Sequence, residues 1–145
     1  MAKAATIKAG KILVKLGNDA TPVVFEAPCA FTDKAITWTK TGQDTEVPDC
    51  ADPDASGWME TDITGRQVRI EGGGVLTSAD KEVWRAAWNS DAPVLFRIEE
   101  QYAGGTVIHE GLLHVMEMAV TANRTGGRSE LRITAQSDGP VTLVT

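Results

Sequence analysis

The chain has 145 residues, is 42% hydrophobic and 23% charged, and carries a formal net charge of −6. That balance suits one globular domain with one core and argues against a protein that grips DNA by neutralising phosphates, which shows the opposite charge. No apolar run reaches the roughly 18 residues of a membrane span, and the N-terminal MAKAATIKAGK lacks the apolar segment of a signal peptide, so a cytoplasmic fold without a membrane partner is expected.

In a cytoplasm Cys29 and Cys50 are expected as free thiols, a Cys29–Cys50 bridge being the alternative. Residues 1–10 are small, polar and basic, without periodicity, and read as an N-terminal arm. Lys11 to Leu16 (KILVKL) reads as a first strand, Gly17-Asn18-Asp19 as a turn, and Pro22 to Phe25 (PVVF) as the returning half of a hairpin. Ala35 to Lys40 (AITWTK), rich in β-branched residues around Trp38, is a third strand.

The composition then shifts. Between Thr41 and Gly65 stand seven acidic residues, Asp44, Glu46, Asp49, Asp52, Asp54, Glu60 and Asp62, with no Lys or Arg. A long acidic loop inside one domain tends to be functional. Trp58 and Met59 in its second half are interface-type anchors. Residues 41–65 are therefore expected to form an extended loop or hairpin that docks on another subunit, with Asp44, Glu46, Asp49, Asp52, Asp54, Trp58 and Met59 at the contact.

The stretch Gln67 to Ile98 holds the one convincing helix. Glu71-Gly-Gly-Gly74 precedes it and reads as a hinge from strand to helix; it lacks the G-K-[S/T] ending of a phosphate loop. Thr77 and Ser78 can cap the first turn, and Asp80 and Glu82 place negative charge at the positive end of the dipole. Val83, Trp84, Ala87 and Trp88 recur at the spacing of one helical face, and Pro93 cannot continue a helix. A helix over about Ala79–Asn89 is too short to stand alone and is expected to lay its Trp-rich face on a sheet.

Val94 to Glu99 alternates, with Val94, Phe96 and Ile98 on one face and Leu95, Arg97 and Glu99 on the other. Tyr102 to Gly105 is a turn. Thr106 to His109 and Leu112 to Val120 are strand material with a bend at Gly111. Asn123 to Gly127 is a turn, and Ser129 to Ala135 alternates again. Pro140 to Thr145 (PVTLVT), within a C-terminal arm over 138–145, is an apolar edge that a monomer would leave exposed. The fold class is mainly β: an antiparallel two-sheet sandwich or barrel with one short flanking helix, in a single domain over 1–145.

Chemistry-bearing patterns are weak. His109-Glu110 and His114 are spaced one residue too far for a zinc-protease helix and lie in strand-like sequence, where residues five apart face opposite ways. Asp52-Pro-Asp54-Ala-Ser56-Gly57 matches the first half of a calcium loop, but its twelfth position is Ile63 and no helices flank it. No nucleophile stands beside a base in a recognisable motif. No catalytic, cofactor-binding or metal site is expected, and no cofactor. A monomeric β-sandwich binding module, Ca²⁺-assisted through Asp49–Asp54, is the alternative to a self-associating structural subunit.

The succession of features carries a resemblance. Strand, acidic loop, VRIEGGGVL, capped helix, Pro turn, VLFRIEE, Gly turn, LLHVMEMAVTAN, Gly turn and ELRITAQSDGPV follow one another from Lys11 to Val144. This order resembles the major tail tube proteins of long-tailed bacteriophages and gene-transfer particles. The resemblance implies hexameric rings stacked into a hollow tube, with a sheet of each subunit joining its neighbours to line the channel. It implies that the long loop reaches an adjacent subunit or ring and that the terminal arms assist stacking. It further implies tape-measure and tail terminator or tip proteins as partners, and DNA that passes without specific binding, in a virion tail assembled in the host cytoplasm. Acidic candidates for the channel wall are Glu71, Glu99, Glu117 and Glu130. Secretion tubes share the fold, so fold alone does not separate the two devices.

Overall fold

Alternating apolar residues and turn signals become seven strands and one helix in the computed structural model, which describes residue 6 and residues 11–17, 25–28, 31–122 and 127–144. In chain order these are β1 (Ile12–Gly17), β2 (Phe25–Glu26), β3 (Asp33–Val47), β4 (Trp58–Val75), α1 (Ser78–Asn89), β5 (Val94–Tyr102), β6 (Gly105–Thr121) and β7 (Glu130–Val144). The turn at Asn18–Asp19, the segment Pro22–Val24, Cys29, the turn at Asn123–Gly126 and nearly all of the N-terminal arm lie outside the described residues.

The fold is mainly β and antiparallel with one flanking helix, as the sequence leads one to expect. Instead of two separately bonded sheets, the strands form one open seven-stranded array in the order β2-β1-β5-β6-β7-β4-β3. The array folds over on itself. The rings of Trp38 on β3 and His109 on β6 lie 5.0 Å apart at 63°, whereas three strand spacings in a flat sheet would separate them by about 14 Å. The result is sandwich-like, with β6 bonded to β5 in one wall and to β7 in the other.

One core fills the fold. Val14 and Leu16 of β1, Phe96 and Ile98 of β5, Leu113 and Val115 of β6, Leu131, Ile133 and Ala135 of β7, and Val68 and Ile70 of β4 are buried together. The helix closes it. Thr77 is its N-cap, its hydroxyl accepting from the Asp80 N–H at 3.2 Å. Asp80, Trp84 and Ala87 form the buried stripe, and Trp84 stacks obliquely on Phe31 with ring centroids 5.1 Å apart. Val83 and Trp88, expected on that face, are instead exposed at 41% and 52%. At 100° per residue the 80/84/87 stripe leaves both on its flanks, where the sheet no longer covers them.

Three boundaries differ from the sequence reading. The third strand does not stop at Lys40; it continues to Val47 and pairs with β4 along its whole length, so of the expected loop or hairpin the acidic segment takes the hairpin form, with residues 48–57 as its tip. The glycine triplet is not a hinge. Gly72 and Gly73 sit inside β4, bonded to β3 on one side and β7 on the other. A Cβ on Gly72 or Gly73 would fall 1.9 Å from the carbonyl oxygen of Asp33 or Leu131, so the triplet permits close approach of three backbones. Finally, the C-terminal segment does not trail free, because β7 runs to Val144 and Thr142–Val144 pair with Ile108–Glu110.

Candidate assembly surface

The wall β6-β7-β4-β3 presents a polar face opposite the core. Cross-strand register sets its rows: Glu117, Thr134, Glu71 and Ala35 in one, Ala119, Arg132, Gly73 and Asp33 in the next, with Thr121, Glu130 and Val75 beyond. Uncharged residues alternate here with acids and an arginine. Two of the four acids are paired, Glu71 with Arg69 at 2.7 Å and Asp33 with Arg132 at 3.8 Å. Glu117 and Glu130 are exposed and form no ion pair among the described residues.

Glu99, grouped with those acids on sequence, stands elsewhere. It lies on β5 in the other wall, is 9% exposed, and pairs with Lys15 at 2.8 Å. Alternation within β5 placed it opposite Phe96 and Ile98, but the strand order that removes it from the polar face is a tertiary property. Nearby, Arg97 bonds Glu110 at 3.2 Å and lies 4.1 Å from the Phe25 ring centroid, a cation–π contact.

The outer half of the β3–β4 hairpin projects from this wall. Beyond the register shift between Thr41 and Gly42, the pairs run Gly42–Ile63, Gln43–Asp62, Asp44–Thr61, Thr45–Glu60, Glu46–Met59 and Val47–Trp58. Directly opposed residues share a face. One face therefore carries Trp58, Val47, Glu60 and Asp62; the other carries Met59, Glu46, Asp44 and Ile63. Trp58 is 84% exposed and Met59 59% exposed. Asp44 accepts from the Thr61 hydroxyl at 2.6 Å, which ties the second face together. The tip carries Asp49, Asp52, Asp54 and an exposed free Cys50, and Asp49 accepts from the Ala51 N–H at 2.9 Å.

At the root of the hairpin, β4 and β7 part. Their ladder runs from Val75–Glu130 to Arg69–Gln136 and stops. The next N–H, that of Val68, donates to the Ser137 hydroxyl at 2.9 Å, so a side chain replaces the following ladder bond. Gly139 then takes a positive φ of 82°, which suits glycine, and Pro140 has no N–H to offer. The Ser137-Asp-Gly-Pro140 sequence thus steers β7 away from β4 and opens a groove of about 920 Å³ lined by Trp38, Lys40, Ile63, Arg66, Pro140 and Val141. Lys40 and Arg66 are directly opposed across β3 and β4, and neither forms an ion pair among the described residues. Sequence reading missed this cationic pair, because only the register brings the two together; the turn chemistry of Ser137–Pro140 was the available signal for the divergence.

The two histidines of the sequence pattern have separate partners. His114 bonds Asp138 at 3.0 Å, and His109 packs against Trp38. No group of three or more His, Cys, Asp or Glu side chains converges among the described residues, and no helix there is long and apolar enough to cross a membrane.

Known proteins bear on these surfaces. The backbone superimposes on a chain from the tail of an empty gene transfer agent (GTA) particle, helically refined with C6 symmetry, with a TM-score of 0.73 at 20% identity over 97% of this chain and 100% of that one. It is also similar to the SPP1 tail tube, with a TM-score of 0.65 at 11% identity over 95% and 78% of the two chains. A further similar chain comes from the sheath–tube complex of PVC, an extracellular contractile injection system, with a TM-score of 0.60 at 12% identity over 97% and 92%. These likenesses concern the fold; no curated protein matches the chain. Residues 6–143 match the phage tail tube protein family. With a polar wall, a projecting acidic hairpin and that match over almost its whole length, the chain belongs to the phage tail tube protein family.

Proposed function

We propose that this chain self-associates into hexameric rings that stack as the hollow tail tube of a virion, and that it performs no catalysis. The observation that carries this reading is the open edge of β3. Among the described residues, its 15 residues are bonded to β4 on one side only. Such an edge templates uncontrolled pairing in a free monomer, and a closed ring gives it a partner. The opposite border of the same wall offers a second edge: β5 pairs with β6 only as far as Leu113, leaving Val115–Thr121 without a strand on that side among the described residues. The C6 symmetry of the gene transfer agent tail supports six subunits per ring.

In this reading the polar face lines the channel. Glu71, Glu117 and Glu130 are among its acids, beside Asp33, and Glu99 is not. Unpaired carboxylates with few free cations favour passage of DNA without specific binding. A tape-measure protein occupies the channel before DNA, terminator and tip proteins close its ends, and assembly takes place in the host cytoplasm. The whole chain acts as one domain, with residues 1–10 and 138–145 contributing to stacking. The outer hairpin docks on neighbouring subunits from both of its faces and its tip, through Asp44, Glu46, Asp49, Asp52, Asp54, Trp58 and Met59.

Negative-stain microscopy of the concentrated protein tests the reading. Rings or tubes are expected; a species that stays monomeric at high concentration contradicts it. Removing residues 41–65 is expected to leave a folded subunit that forms no tubes.

A further inference from the structure

We propose that the groove between the diverging β4 and β7 is the receptor for the outer hairpin of a second copy of this chain, which enters with its Trp58–Glu60–Asp62 face. The inference rests on the proposed self-assembly and names the surface that completes it.

Three features of the groove call for such an occupant. Lys40 and Arg66 oppose each other directly across the β3–β4 ladder, an arrangement that destabilises a free sheet and that an entering anion relieves. Around them Trp38 and Ile63 are about half exposed, at 51% and 49%, with Pro140 and Val141 on the facing side. Both walls also end in backbone laddered on one side: among the described residues β4 from Trp58 to Gln67 is laddered only to β3, and β7 beyond Gln136 only to β6. The groove is cationic, apolar and bordered by strands laddered on one side only, so it favours an acidic, aromatic β-segment.

The outer hairpin carries a segment of that chemistry. On one hairpin face Glu60 and Asp62 follow Trp58 at alternate positions, with Val47 opposite Trp58. That face offers two carboxylates and an 84% exposed indole to two cations and an apolar floor. A subunit cannot fill its own groove, because its hairpin forms one groove wall and runs outward from it. From the Lys40–Arg66 pair to the Val47–Trp58 pair the hairpin spans seven residues, a reach of about 24 Å at strand rise. The contact is therefore heterologous, hairpin to groove, and propagates from copy to copy. Desolvated charge pairs of this kind set partner choice, and like-charge juxtaposition in their place is strongly unfavourable.

Charge reversal tests this on the full chain. Sedimentation velocity and negative-stain microscopy read polymer, and circular dichroism with thermal unfolding reads the fold of each variant. Lys40→Glu with Arg66→Glu is expected to raise the concentration needed for polymer by about tenfold or more, with an unchanged fold. Glu60→Lys with Asp62→Lys is expected to do the same. Mixing the two double variants, or combining all four changes in one chain, is expected to restore polymer, since each reversed face again meets its complement. Normal polymerisation of folded K40E/R66E overturns the inference while leaving self-assembly intact, and so does loss of polymer without rescue by either combination. An unaltered protein that stays monomeric overturns both. If K40E/R66E polymerises normally but loses binding to a single-stranded oligonucleotide, the groove serves nucleic acid and the inference falls.

Discussion

The ammonium of Lys15 and the carboxylate of Glu99 meet at 2.8 Å across β1 and β5, with side-chain exposures of 25% and 11%. A carboxylate this enclosed depends on its partner. Lys15→Met leaves it uncompensated and is expected to cost about 2–4 kcal/mol, read as a lower urea midpoint with an unchanged slope. Adding Glu99→Leu is expected to recover most of that loss, because an apolar pair of similar volume avoids the desolvation penalty. Failure of the second change to recover stability would mean that Lys15 acts through packing of its stem and not through its charge.

The two helix tryptophans are predicted to behave oppositely. Trp84 is 1% exposed and packs on Phe31, so Trp84→Ala is expected to destabilise the subunit by about 3–5 kcal/mol. Trp88 is half exposed, and Trp88→Ala is expected to stay within about 0.5 kcal/mol in the free subunit. Thermal unfolding at a concentration below polymer formation makes the comparison.

Gly73 is predicted to be irreplaceable for a reason unrelated to turn geometry. A methyl there meets the Leu131 carbonyl oxygen at 1.9 Å, and backbone bonded on both sides has little room to yield. Gly73→Ala is expected to cost about 3 kcal/mol or more. Gly104, in the β5–β6 turn, has nothing within 4 Å of the same methyl position, so Gly104→Ala is the control and is expected to be near neutral. Denaturant midpoints of the two variants check both.

Tyr102 gives a clean titration, because it is the single tyrosine of the chain. Its hydroxyl donates to a Glu100 carboxylate oxygen, and that bond, followed by desolvation and the Glu100 charge, raises the phenol above its ordinary 10.0. The folded state therefore favours the neutral phenol. The stabilisation is fully present below pH 10 and is lost as pH rises through the higher folded value. Phenolate absorbance is expected to show a midpoint above 10 in the native protein. Glu100→Ala is expected to return it toward 10, and an unchanged midpoint would assign the shift to another group.

Much of this architecture is legible locally. The alternation of Leu131, Ile133 and Ala135, and of Phe96 with Ile98, marks core-facing positions because successive strand residues face opposite sides. Thr77, the 80/84/87 spacing and Pro93 delimit the helix through capping, periodicity and a missing N–H. The acidic Thr41–Gly65 composition marks a projecting element without a core of its own. What the sequence determines by itself is therefore the kind of each element and, within a strand, which residues share a side. Only the tertiary structure decides which sides meet. It sets Lys40 against Arg66, folds Trp38 onto His109, removes Glu99 to the other wall and places Trp88 beyond the sheet. Those relations depend on strand order, register and curl, which arise from contacts between residues distant in the chain, and no local period encodes them.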